Sequence, residues 1–180
     1  MPSKIVLVTI TECLKLTLIN RPSVNKIAIF VDVQNIYYTT RQTYGRQFNY
    51  RKLWQKISEQ GDIVTANAYA IDRGDDKQLK FQTALKKMGF HVRLKPYIQR
   101  RDGSAKGDWD VGIAIDVMEA AKDVDTVILL SGDGDFDLLL DKIRAVYDVN
   151  AEVYGVSALT ANSLVHAASA YHPITEDLLL

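Results

Sequence analysis

From residue 26 onward the chain alternates two kinds of apolar pattern. Short runs rich in Val, Ile and Leu, as in buried strands, are separated by segments whose apolar residues recur every three or four positions, the period of a helix burying one face. That alternation predicts an α/β fold, a mostly parallel sheet of about five strands with helices on both faces. The strands are expected at 27–32, 63–71, 91–97, 126–131 and 152–156. A first helix is capped by Asn49, buries Tyr50, Leu53, Trp54 and Ile57, and closes at Gly61 in a left-handed turn. A second opens at Asp75 or Asp76, buries Phe81, Ala84, Leu85 and Met88, and stops at Gly89. A third is expected to bury Val111, Ala114, Ile115 and Met118. A fourth buries Phe136, Leu139, Leu140, Ile143 and Tyr147, and a fifth, after Thr160, buries Ala161, Leu164, Val165 and Ala168.

Residues 1–25 read as an N-terminal extension and 26–180 as one domain, a size that suits 180 residues of which 47% are apolar. Lys4 precedes the apolar run Ile5 to Ile10, but Glu12 and Lys15 interrupt it and no small-residue cleavage pattern follows, so it is a poor export signal. No apolar stretch reaches the roughly 20 residues that span a bilayer. Leu14, Leu16 and Leu18 alternate with polar residues at strand period. No membrane association is expected, and the single cysteine, Cys13, excludes an internal disulfide and suits a reducing cytoplasm. Lys+Arg and Asp+Glu both number 22, so polyanion binding must come from local charge.

The candidate chemistry is carboxylate. Ile128 to Ser131 runs as a buried strand into Gly132-Asp133-Gly134-Asp135-Phe136-Asp137, a glycine-punctuated acidic turn at the strand end where open parallel sheets place ligands. Asp133, Asp135 and Asp137 repel one another at such spacing unless a hard cation neutralises them through oxygen ligands. The ordinary alternative is helix capping by Asp135 and dipole complementation by Asp137. The apolar run Ile27 to Val31 ends the same way on Asp32, followed by Asn35, and a carboxylate ending a buried strand is costly unless paired or metal-bound. In the stretch from Lys106 to Asp116, Asp108 fits an N-cap and Asp110 the first turn. Asp116 lies about 240° around the helix from Asp110. It is therefore expected to make a supporting hydrogen bond or face solvent.

Three motifs together are similar to those of NYN domains, particularly the LabA-like branch: Phe30-Val31-Asp32-Val33-Gln34-Asn35, Lys106-Gly107-Asp108-Trp109-Asp110 with Asp116, and Ser131-Gly132-Asp133-Gly134-Asp135-Phe136. The resemblance covers roughly residues 26 to 174, with Val33 where the family often has Gly. It implies a Rossmann-like, PIN-like sheet and a Mg²⁺ or Mn²⁺ site acting on RNA. Asp32, Asp110, Asp133 and Asp135 would be the catalytic and metal-binding residues, with Asn35, Ser131, Asp108, Asp116 and Asp137 supporting them.

Arg93, Lys95, Arg100, Arg101 and Lys106, with Tyr97 among them, form a local basic feature suited to phosphates and a stacked base. Arg100, Arg101 and Lys106 are the expected substrate contacts and single-stranded RNA the expected partner; the sequence is compatible with a homodimer. A second basic patch, Arg41, Arg46, Arg51 and Lys52 with Tyr44, follows the first strand. A non-catalytic RNA-binding or regulatory module is the competing reading. No P-loop signature is present, a phosphatase-type site would want Asp where Gln34 stands, and His91, His166 and His172 fit structural or solvent roles.

Overall fold

The computed structural model describes residues 24–72, 74, 76–96, 98, 99, 105, 106 and 108–180. The Leu14 to Leu18 alternation lies outside the described residues, as do Tyr97, Arg100, Arg101 and the side chain of Lys106.

Six strands form one parallel sheet: β1 (Lys26–Asp32), β2 (Asp62–Asp72), β3 (His91–Pro96), β6 (Thr126–Leu130), β7 (Asn150–Gly155) and β8 (Ala170–Pro173), in the order β3-β2-β1-β6-β7-β8. Between β3 and the next helix the backbone pairs β4 (Ile98–Gln99) with β5 (Ala105–Lys106) as a small antiparallel ladder. The six-strand order is doubly wound: the chain builds outward from β1 to one edge, returns to β6, and builds outward to the other. The direction reverses between β1 and β6, and sheets of this kind place their ligands at the carboxyl ends of such strands. The sixth strand, β8, was not anticipated; it is only four residues long.

The period of two places side chains on alternate faces of the sheet. Ile27, Ile29 and Val31 of β1 enter one core, with residues from α1 (Val33–Tyr44), α2 (Tyr50–Ser58) and α3 (Asp76–Met88). Ala28 and Phe30 enter the other, with α4 (Asp110–Ala120), α5 (Asp137–Tyr147) and α6 (Asn162–Ala167). All five β1 residues from Ile27 to Val31 are fully buried. Each large one stabilises the fold by roughly 1.5–3 kcal/mol, so the strand that carries Asp32 is held on both faces.

Asn49 caps α2 as expected, its side-chain oxygen accepting from the Lys52 N–H at 3.1 Å. Gly61 does not end that helix in a left-handed turn. The cap is Glu59 in right-handed geometry, and Gly61 is needed because a Cβ there would stand 2.1 Å from the Asn25 carbonyl oxygen. Gly89 does stop α3, with φ +109. On α3, Phe81, Leu85 and Met88 pack inward, but Ala84 is exposed and Gln82 buried. The α4 stripe is corrected too: Ile113 and Val117 are buried, whereas Val111 and Ile115 are 69% and 60% exposed. Phe136, Leu139, Leu140 and Ile143 are buried as read, and α6 buries Leu164 and Ala167. No helix among the described residues is long and apolar enough to cross a membrane.

Candidate metal centre

Asp32 is the last residue of β1 and the N-cap of α1, its carboxylate accepting from the Asn35 N–H at 3.1 Å. The Asn35 side-chain oxygen in turn accepts from the Gly132 N–H at 2.9 Å, tying the end of β1 to the turn after β6. The fully buried Ser131 hydroxyl accepts from the Asp133 N–H at 3.2 Å. The Asp133 carboxylate caps the 3₁₀ turn Gly134–Phe136, accepting from the Asp135 N–H at 3.0 Å. Gly132 is required by close approach, since a Cβ there would stand 2.6 Å from the Leu159 carbonyl oxygen. Its own carbonyl accepts from the Ala161 N–H at 2.9 Å. The acidic turn is thus held from the first turn of α1 on one side and from the 157–161 segment on the other.

Asp110 is the first residue of α4, and Asp108 is not its N-cap. Trp109 takes the cap position with no side-chain cap bond, and its indole N–H donates to the Ala70 carbonyl at 2.9 Å. Lys95 Nζ donates to the Asp108 carbonyl at 2.8 Å and lies 4.3 Å from the Trp109 ring centroid. The indole also lies over Gly112, where a Cβ would meet it at 2.7 Å. Strand β2 and the edge strand β3 therefore set how α4 begins and where Asp110 stands.

These elements bring Asp110, Asp133 and Asp135 together, so that one carboxylate oxygen from each lies within 4.8 Å of the other two. Asp32 lies outside that group of three but close enough to feel it. Burial raises its pKa from 3.8 to about 6, and the charges of Asp110 and Asp133 add to the shift. Burial also raises the Asp110 pKa, followed by Asp108, Asp133 and Asp135, with Lys95 opposing. Oxygen ligands around a hard divalent ion at about 2.0–2.6 Å stand up to about twice that distance apart, so the spacing and the all-carboxylate donor set fit Mg²⁺ or Mn²⁺.

Other expected residues sit elsewhere. Asp137 begins α5 and accepts from the Leu138 N–H. Asp116 accepts from the Tyr69 hydroxyl at 2.6 Å and pairs with Arg93 at 3.3 Å. His91 and His166 are exposed, and His172 bonds Glu152 at 2.8 Å and stacks on Tyr154. Trp109 was missed as an anchor; its adjacency to Gly112, which accommodates the ring, was the available signal.

A doubly wound sheet with carboxylates converging beside its central strand ends belongs to a recognisable class. The model of the NYN domain matches residues 26–175, and the chain belongs to the NYN domain family. It is 30% identical over 159 residues to the "Low amplitude and bright protein LabA" of Synechococcus elongatus, across 84% of this chain and 83% of that protein. A crystal structure of a protein of unknown function from Vibrio parahaemolyticus is similar with a TM-score of 0.85 and 51% identity, across 89% of this chain and 99% of that one. The family expected from the three motifs is the family found.

Proposed function

We propose that the protein is a metal-dependent endoribonuclease that hydrolyses RNA phosphodiester bonds, with Asp110, Asp133, Asp135 and Asp32 as its catalytic and metal-holding acids. The carrying observation is the convergence of three carboxylates, from α4 and from the turn after β6, within 4.8 Å. When bound there, Mg²⁺ or Mn²⁺ supplies Lewis acidity toward the phosphate oxygens and the positive charge that offsets the carboxylates. The chain's own groups keep those carboxylates in place. Asn35 ties the two strand ends together, Ser131 orients the backbone of Asp133, and Trp109 with Lys95 fixes the start of α4.

Family membership supports a nuclease reading, and the basic residues near the site support a polyanionic substrate. Single-stranded RNA is the proposed substrate, with Arg100, Arg101 and Lys106 as proposed phosphate contacts. The test is incubation of purified protein with single-stranded and structured RNAs in Mg²⁺, Mn²⁺ or chelator, beside Asp133→Asn. Metal-dependent cleavage lost in the variant is expected; RNA binding without cleavage under any metal would make the chain a binding module instead.

A further inference from the structure

An open groove of about 810 Å³ lies between edge strand β3 and helix α4. It leads away from Asp110, for at 1.5 Å per residue Asp116 and Glu119 stand about 9 and 14 Å further along the helix. Its two long walls carry opposite charge. On β3 the cation in the lining is Arg93, with His91 beside it, and Lys95 continues the same face beyond the groove, toward Trp109 and the acid cluster. Residues two apart on a parallel strand are about 6.6 Å apart, an interval close to that between phosphates of an extended single strand. Lys86, from the end of α3, adds a cation at the rim, and Asn67 contributes a polar group to the lining. The α4 wall carries Asp116, already committed to Tyr69 and Arg93, and beyond it the exposed Glu119 and Asp123.

A groove with one cationic and one carboxylate wall does not suit a ligand that is anionic throughout. It suits a chain with phosphates along one edge and hydrogen-bond donors along the other. We infer that this groove holds one arm of the RNA strand, phosphates along β3 and bases toward Glu119 and Asp123, and that it favours bases bearing an exocyclic amino group over uracil. Carboxylates accept hydrogen bonds from such amines, as Asp and Glu do from cytosine N4. Uracil presents a carbonyl at the corresponding position, and facing a carboxylate it leaves both acceptors without a donor. The inference deepens the nuclease reading by naming the bases that the same site would take.

The test uses full-length Asp133→Asn protein in Mg²⁺ buffer, with binding of fluorescein-labelled oligo(C), oligo(A) and oligo(U) followed by anisotropy. Oligo(C) and oligo(A) are expected to bind about tenfold more tightly than oligo(U), the scale of one hydrogen bond to a charged acceptor. Adding Glu119→Gln and Asp123→Asn, both exposed positions, should shrink that gap without weakening oligo(U). Adding Lys86→Gln should weaken all three alike and flatten the log-affinity against log-salt slope by about 0.7. Equal affinities for the three oligomers, a preference unmoved by the Glu119 and Asp123 changes, or no binding of any oligomer would overturn the inference. The nuclease reading is judged separately by wild-type cleavage. Cleavage with no base preference sinks the groove alone, and base-selective binding with no cleavage in either metal sinks the nuclease alone.

Discussion

Asp110 and Asp116 stand on one helix, six residues apart, in opposite electrostatic surroundings. Around Asp116 the fold supplies donors: the Tyr69 hydroxyl at 2.6 Å, backed by Asn67 at 3.2 Å, and the Arg93 guanidinium at 3.3 Å. Around Asp110 it supplies acids, Asp108, Asp133 and Asp135, with Lys95 the opposing cation. A carboxylate that serves the fold is given its partners by the fold. A set that the chain gathers and leaves mutually repelling can take a charge from outside, as the proposed metal site requires. Register produces the contrast, because Tyr69 and Arg93 are paired across β2 and β3 and so meet Asp116 together.

The largest expected effect breaks that pair of acids apart. Asp110→Asn should lower Mn²⁺ affinity by roughly 10–100-fold or more, since loss even of a group supporting a ligand costs that much, while leaving the urea midpoint unlowered. Asp116→Ala should do the reverse. It leaves the buried Tyr69 hydroxyl without its acceptor and costs about 1–3 kcal/mol of stability, with Mn²⁺ affinity unchanged. Titration calorimetry and urea unfolding on both variants check this, and equal losses of Mn²⁺ affinity would erase the distinction.

The acids themselves were legible because the signals were local. Apolar runs end on Asp32 and just before Asp133, and glycine punctuation marks the turn. Helix α1 was not, because its buried face is small, only Val33, Ile36 and Thr40; in the fold the Thr39 and Thr40 hydroxyls bond the Asn35 and Ile36 carbonyls, each at 2.7 Å. The rotation of α4 was misread for a different reason. Its sequence is apolar on more than one side, so periodicity leaves the buried face open, and the Trp109 bond to Ala70 on β2 helps to fix it. The supporting role expected for Asp116 followed from helix angle alone, but its partners, on two other strands, could not.

The next effect is in pH. The folded-state pKa of Asp32, about 6, exceeds the ordinary carboxyl value of 3.8, so the native protein keeps a proton that the unfolded chain has already lost. This contribution is fully present below about pH 4 and is lost as pH rises through 6. Metal-free stability should therefore fall between pH 4 and 7, by on the order of 2 kcal/mol from Asp32, with Asp110 acting in the same direction. Asp32→Asn should flatten the profile and leave the metal-free protein more stable at pH 7. Saturating Mn²⁺ should oppose the fall by binding the native state. Thermal melts across that range decide it, and a metal-free protein most stable at pH 7 would show that the carboxylates are compensated within the fold after all.

The smallest effect probes the boundary between the two regions, which Lys95 occupies. Its ammonium grips the Asp108 carbonyl, lies over Trp109, and is the cation opposing the acids around Asp110. Lys95→Gln removes a cation–π contact, for about 0.5–1 kcal/mol of stability. It also removes a positive charge beside the proposed cation site, a repulsion of a few tenths to about 1 kcal/mol at surface dielectric. Mn²⁺ affinity should therefore rise about two- to fivefold at low ionic strength, and the gain should shrink in high salt as screening sets in. RNA affinity should fall in the same variant, since the lost charge lies between the groove and the acid cluster, on the β3 face that continues from Arg93. If Mn²⁺ affinity drops instead, the grip on Asp108 matters more than the charge. The hold that Lys95 keeps on the start of α4 would then outweigh its repulsion of the incoming ion.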